Sequence, residues 1–279
     1  MRRPLALAVG AALICASGAG LRALQIGASR TALAVVVDVR GRPIVDLDAD
    51  DFVVREAGRP REVLSVRVAD YPIAIVLDNG RGAEPDFDAI RTAAARFIGR
   101  VGSRPVAVAA LDPVRLVAGF DDDRAAVMDR LRQLRASASP EGLFEAVVLA
   151  ARTIRELGAP FSAIVVVSAA PVSRVPPELL APIVESGATV HVVVHAGQAA
   201  EAAAPEPSET LRALVDQTRG QFTPIFSAAS YGAALDRLAD RLAPELQVEY
   251  VVPVGSSSGD DVQLGVRIPG ARVVGRGVR

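Results

Sequence analysis

The chain is poor in the residues that carry much of protein chemistry. Its 279 residues include one cysteine, two histidines and no tryptophan, and aromatics make up only 4%. The 31 basic residues are all arginine, which reflects codon composition more than chemistry, and the 32 acidic ones leave a net charge of −1. With no basic surplus to drive counterion release and few rings on which to stack bases, a nucleic-acid role is excluded. The histidines, His191 and His195, are four apart, a metal pair if they shared a helix. Residues 189–194 read instead as a strand, where that spacing spreads them over about 13 Å. No Gly-x-Ser-x-Gly elbow, phosphate-cradling loop or Cys/His nucleophile pair appears, and nothing in the sequence supplies a base for Ser168 at its strand end.

What is abundant is apolar. Hydrophobic residues reach 51% against 23% charged, enough for a sizeable core and incompatible with global disorder. The first thirty residues run from Arg2 and Arg3 through an apolar stretch from Leu5 to Ile14, then to the small residues Ala16, Ser17, Gly18 and Ala19. That order is the order of a secretory signal, with the mature chain expected to begin between Ala16 and Leu24. Ile14 before Cys15 argues against a lipoprotein signal, which needs a small residue there. Left uncut, the segment is a marginal membrane anchor. A cleaved chain has no cysteine and therefore no disulfide.

The stretch 72–82, Pro-Ile-Ala-Ile-Val-Leu-Asp-Asn-Gly-Arg-Gly, organises the rest. A short apolar run without alternation suits a strand buried on both faces of a parallel sheet. Asp78 at its carboxyl end stands where open α/β sheets place their ligand sites. Downstream, helical stripes over 86–101, 124–134, 141–157, 177–186 and 231–242 alternate with strands at 105–111, 114–120, 162–167 and 189–194. Asp121, Asp122 and Asp123 read as a helix start. Segment 196–208 lacks anchoring apolar residues and reads as a loop inside the domain. Strand-like flanks, opening at 31–39 and closing at 246–254, 262–268 and 272–278, predict a small β module assembled from both ends.

The run 72–82 resembles the first strand and first metal loop of a von Willebrand factor A (VWA) domain, normally Asp-x-Ser-x-Ser. The phrase VVVDVRGRPIVDLDADDFVVREAGRPREVLSV is similar to the segment preceding the domain in secreted bacterial VWA-related proteins. LRALVDQTRGQF, 211–222, resembles the Leu-x-x-Leu-Ala-x-x-Thr-Gly-Gly-x-Phe signature near the domain's end, with Arg219-Gly220 for Gly-Gly. The resemblance covers about 31–279. It implies a doubly wound, mostly parallel α/β sheet with helices on both faces over 71–244. The β module is expected from 31–70 and 245–279, and a signal or anchor from 1–30.

In that family a divalent cation sits over the sheet's carboxyl edge, held by the Asp and both serines of the first loop, a Thr in a second loop and an Asp in a third. Hard cations take oxygen ligands, so hydroxyls and carboxylates suit the task. This chain keeps Asp78 but has Gly80 and Gly82 for the serines, Glu141 in the frame of the Thr, and Ala169 in the frame of the third Asp. These are vestigial positions, and no cofactor is expected. Arg81 is the predicted replacement for the ion, paired with Asp78 or Glu141, because a planar guanidinium suits carboxylates. The reading is an exported, non-catalytic protein-binding module, secreted or periplasmic, whose partner is another protein in the cell envelope or outside the cell. Membrane contact is expected only if the N-terminal segment stays uncut. The alternatives are a metal-dependent adhesion domain with a degraded site and, more distantly, a hydrolytic enzyme.

Overall fold

The computed structural model describes residues 28–111, 113–137, 142–170, 177–196, 209–253 and 261–278. The N-terminal segment, Glu141 and the 197–208 part of the predicted loop lie outside the described residues.

The apolar run is the central strand of the main sheet. It forms β5 (Ile73–Leu77), every residue of it buried. It pairs in parallel with β6 (Val106–Leu111) on one side and β8 (Ala163–Ser168) on the other, with Leu77 opposite both Ala110 and Val167. Beyond β8 lie β9 (Thr189–His195) and β10 (Phe222–Ile225), also parallel. Beyond β6 lies β7 (Val114–Ala118), the antiparallel edge. The order β10-β9-β8-β5-β6-β7 makes a six-stranded, mostly parallel sheet, doubly wound as expected.

The lack of alternation in β5 has a direct physical reading. Ile73, Ile75 and Leu77 enter one core with Phe87, Ile90 and Phe97 of α1 (Phe87–Arg100), Val127 of α2 (Arg124–Gln133) and Leu235 and Leu238 of the last helix. Ala74 and Val76 enter a second core with Phe144, Val147 and Ile154 of α3 (Leu143–Leu157), Ile183 of α4 (Leu180–Glu185) and Leu214 of α5 (Glu209–Gln217). The last helix is α6 (Ser230–Leu242). Both faces of the sheet are covered, so both sides of each central strand must be apolar.

The chain ends meet in antiparallel sheets. β1 (Ala28–Val37) lies between β11 (Leu246–Val252) and β13 (Arg272–Val278), and β4 (Val63–Val68) pairs with the far side of β11. A three-stranded sheet, β12 (Val262–Val266), β2 (Phe52–Glu56) and β3 (Arg59–Arg61), lies against it. Their shared core holds Ala34, Val36, Phe52, Val54, Val248 and Tyr250. Glu56, 4% exposed, is buried between Arg30 and Arg61, whose guanidiniums hold its two oxygens.

Several boundaries differ from the sequence reading for local reasons. β1 stops at Val37 because Asp38 Oδ1 accepts the N–H groups of Arg40 (2.8 Å) and Arg42 (2.9 Å), folding the chain into a turn. Helix α3 begins at Leu143, with Gly142 pressed against β6 and β7: a Cβ there would meet Val114 Cγ2 at 3.0 Å and Leu111 O at 3.3 Å. The acidic triplet behaves as expected, Asp123 Oδ1 accepting from Ala126 N at 2.7 Å to cap α2. Strand β10 was missed because it contains Pro224. A proline is tolerated there because β10 is an edge strand, paired on one side only.

Candidate functional site

The loops after β5 and β8 converge at the carboxyl edge of the sheet. Asp78 leaves β5 with its own N–H still bonded to Val167 O at 2.9 Å, so its side chain projects beside the end of β8. Its Oδ2 accepts from Ala169 N at 3.0 Å and lies 3.1 Å from Ser168 Oγ, and its Oδ1 accepts from Gly80 N at 3.2 Å. Ser168 Oγ also lies 2.9 Å from Ala170 O, so its single proton serves one acceptor or the other. Three vestigial positions, Asp78, Gly80 and Ala169, are therefore brought together, and two of them meet the carboxylate through backbone N–H groups alone.

The glycines have backbone consequences as well. Gly82 sits at φ +90°, which residues with a side chain rarely adopt, so the loop has taken a course that a serine at 82 would strain. Its N–H donates to Glu84 Oε2 at 2.8 Å. Arg81, between the glycines, is exposed. Glu141, the other carboxylate of the predicted pair, is outside the described residues.

Asn79, next to Asp78, was not singled out by sequence, yet it ties the loops together. It is 1% exposed. Its Oδ1 accepts from Leu111 N (2.8 Å), its Nδ2 donates to Arg135 O (3.0 Å), and its carbonyl accepts from Ser137 N (2.7 Å). One amide thus links the end of β5, the end of β6 and the segment after α2. A second polar residue following Asp78 at the end of a fully buried strand was the available signal.

Behind the loops lies a second polar group. Tyr231, at the start of α6 and wholly buried, donates its hydroxyl to Ser168 O at 2.8 Å. Burial first, and then the carboxylates of Asp86 and Asp78, push the tyrosine well above its ordinary pKa, so it remains a donor. His195, at the end of β9, stands edge-on to the Tyr231 ring with centroids 6.3 Å apart, and its Nδ1 is 2.6 Å from Asp86 Oδ2. His195 is thus occupied by Asp86, while His191 lies buried further down the same strand, as the strand reading required. Ser168 is not paired with a histidine: its hydroxyl faces the Asp78 carboxylate and the Ala170 carbonyl.

Among the described residues, no three His, Cys, Asp or Glu side chains gather closely enough to hold a metal ion. None of their helices is long and apolar enough to cross a membrane.

No family model matches the chain, and no curated protein matches it by sequence. Solved structures do resemble it. A von Willebrand factor type A protein from Catenulispora acidiphila aligns at 15% identity and TM-score 0.47, over 84% of this chain and 74% of that one. The pilus adhesin SpaC from Lactobacillus rhamnosus GG aligns at 10% identity and TM-score 0.47, over 81% of this chain and 47% of that one. Proximal thread matrix protein 1 from the mussel byssus, in a structure with a zinc-occupied MIDAS motif, aligns at 14% identity and TM-score 0.45, over 64% of this chain and 47% of that one. The chain thus spans less than two thirds of the length of the last two. By its doubly wound sheet, and by the place of Asp78 at the end of the central strand, the chain has the VWA-like fold that its sequence resembles.

Proposed function

We propose that the chain is an exported, non-catalytic binding module whose carboxyl-edge loops dock another protein without a metal ion. The observation that carries the reading is the state of Asp78. Its carboxylate is met by Ala169 N, Gly80 N and Ser168 Oγ, all from its own fold, so its charge is answered internally. The neighbouring positions Gly80, Gly82 and Ala169 offer no side-chain oxygen. A hard divalent cation needs about six oxygens, and a carboxylate already bonded within its own fold is a poor start.

In this reading Arg81 supplies the positive charge that a cation gives in the family, pairing with a carboxylate of the site, Asp78 or Glu141, and presenting the rest of its guanidinium to the partner. Export rests on the charged, apolar and small-residue order of 1–30, and the partner is placed in the cell envelope or beyond it.

The test is capture of the partner from the native cell envelope with and without a chelator, using the wild-type chain and Arg81→Glu side by side. Retention that survives the chelator and fails in Arg81→Glu is expected. Retention that needs magnesium or manganese would sink the metal-free reading. Turnover of a substrate would sink the non-catalytic one.

A further inference from the structure

At the opposite, amino edge of the six-stranded sheet a cleft of about 580 Å³ separates that sheet from the terminal β-sheet. Leu33 of β1 lines one side, and Tyr71, Glu245 and His191 line the other. The volume is that of a small-molecule site. Nothing in the carboxyl-edge machinery uses it.

Its most telling residue is His191. It is 2% exposed and its ring lies against the cleft, both ring nitrogens are covered, and among the described residues neither has a hydrogen-bond partner. Buried polar groups without partners are uncommon, because the lost hydration is not returned. Burial, then the charge of Arg241, push its pKa down to about 3, so the ring is neutral and offers one donor and one acceptor.

The charges around it favour an anion. Glu245, the carboxylate of the wall, is already answered: Tyr71 OH donates to it at 2.5 Å, and buried Arg104 lies 3.4 Å away. Arg219 and Arg241 also line the cleft, and neither makes a salt bridge among the described residues. Arg241 Nη1 donates to the neutral Gln221 Oε1 at 3.1 Å, and its charge also acts on Glu245. Arg219 is held at φ +59°, an uncommon backbone for a residue with a side chain. The turn that fixes it is locked against β9, since a Cβ on the next residue, Gly220, would meet Val190 O at 1.7 Å. An arginine is thus kept at a strained position beside the strand that carries His191.

We propose that this cleft binds a small carboxylic acid with an apolar body, its carboxylate on Arg241 beside the His191 ring, with Arg219 lining the same cleft and the body against Leu33. The site is independent of the carboxyl-edge docking face.

The experiment uses the full chain labelled with nitrogen-15 and titrated with hexanoate, followed by imidazole NMR. The chain has two histidines, and His195 at the far edge serves as an internal control. Hexanoate is expected to move the His191 nitrogens and leave those of His195 in place. Dissociation constants on the order of millimolar suit a ligand this small. Arg241→Gln, at an exposed helix end, is expected to weaken binding about tenfold. The neutral isostere hexanol should leave His191 unmoved. A His191 signal that stays still with hexanoate would show a cleft holding water only and overturn the proposal. Equal response to hexanol, or undiminished affinity in Arg241→Gln, would overturn it as well.

Discussion

His195 Nδ1 lies 2.6 Å from Asp86 Oδ2, joining the end of β9 to the residue that precedes α1. Both side chains are mostly shielded, at 19% and 16% exposure, so the contact is not diluted as a surface pair would be. Asp86→Ala is expected to cost about 1–2 kcal/mol by leaving the imidazole without its acceptor. Asp86→Asn keeps an acceptor oxygen and should cost less. Urea unfolding checks this, with a lower midpoint at unchanged slope.

Asn79 should be the most sensitive polar residue of the carboxyl edge. Asn79→Ala strands the buried N–H of Leu111 and the carbonyl of Arg135, and about 2–3 kcal/mol of stability is expected to go. Asn79→Asp should rescue only the Leu111 contact, because a carboxylate cannot donate to Arg135 O. Rescue to wild-type stability by aspartate would refute the bridging role.

Asp78 separates a structural carboxylate from a metal ligand. Removing a ligand from an ion-free protein relieves repulsion or does little, whereas removing an acceptor of internal N–H groups costs stability. Asp78→Ala is therefore expected to lower the melting temperature in the presence of a chelator. Millimolar magnesium or manganese is expected to leave the wild-type melting temperature unchanged, since a ligand that does not bind the native state cannot stabilise it. A metal-induced rise that vanishes in Asp78→Ala would contradict both.

The buried His191 predicts an acid-sensitive fold. The unfolded chain takes up a proton near pH 6.5 that the folded ring refuses until about pH 3, so stability is lost as pH falls through that window. By pH 4.5 this one group should have cost about 2–3 kcal/mol. Glu245 works the other way: burial raises its folded pKa above 4.5, so it disfavours folding as pH rises toward that raised value. Comparing wild type with His191→Leu at pH 7 and pH 4.5 isolates the histidine. The variant should lose distinctly less on acidification.

Sheet β1-β11 sets the last expectation. β11 lies between β1 and β4, so deleting 245–279 removes the strand that joins them. The face carrying Ala32, Ala34 and Val36 would then lose Leu246, Val248 and Tyr250. The truncated chain should melt well below the intact one and expose apolar surface to a hydrophobic dye.

Much of this fold was legible because its signals are local. The unalternating run of β5 announces a strand covered on both sides, and the stripes of α1, α3 and α6 announce one-sided helices. Asp123 could be read as a cap from its position alone. What escaped depends on partners far along the chain. Pro224 hid β10, since only its place at the edge makes the residue harmless. Asn79 looked like part of a turn, because its partners Leu111 and Arg135 are brought near only by the fold. Asp86 and His195, 109 positions apart, gave no sign of each other. The amino-edge cleft needs both sheets to exist before it has walls.

The strand order of the terminal sheet also constrains how the molecule is made. A ribosome emits β1 and β4 early, but the strand that bridges them, β11, emerges only after the entire six-stranded domain. During that interval β1 carries the buried-side residues Ala32, Ala34 and Val36 with neither neighbour strand available. Pairings across such separations are slow, and unpaired strands are open to association with other chains. Until β11 and β13 follow, the apolar side of β1 is the part of the nascent chain most open to association with other chains.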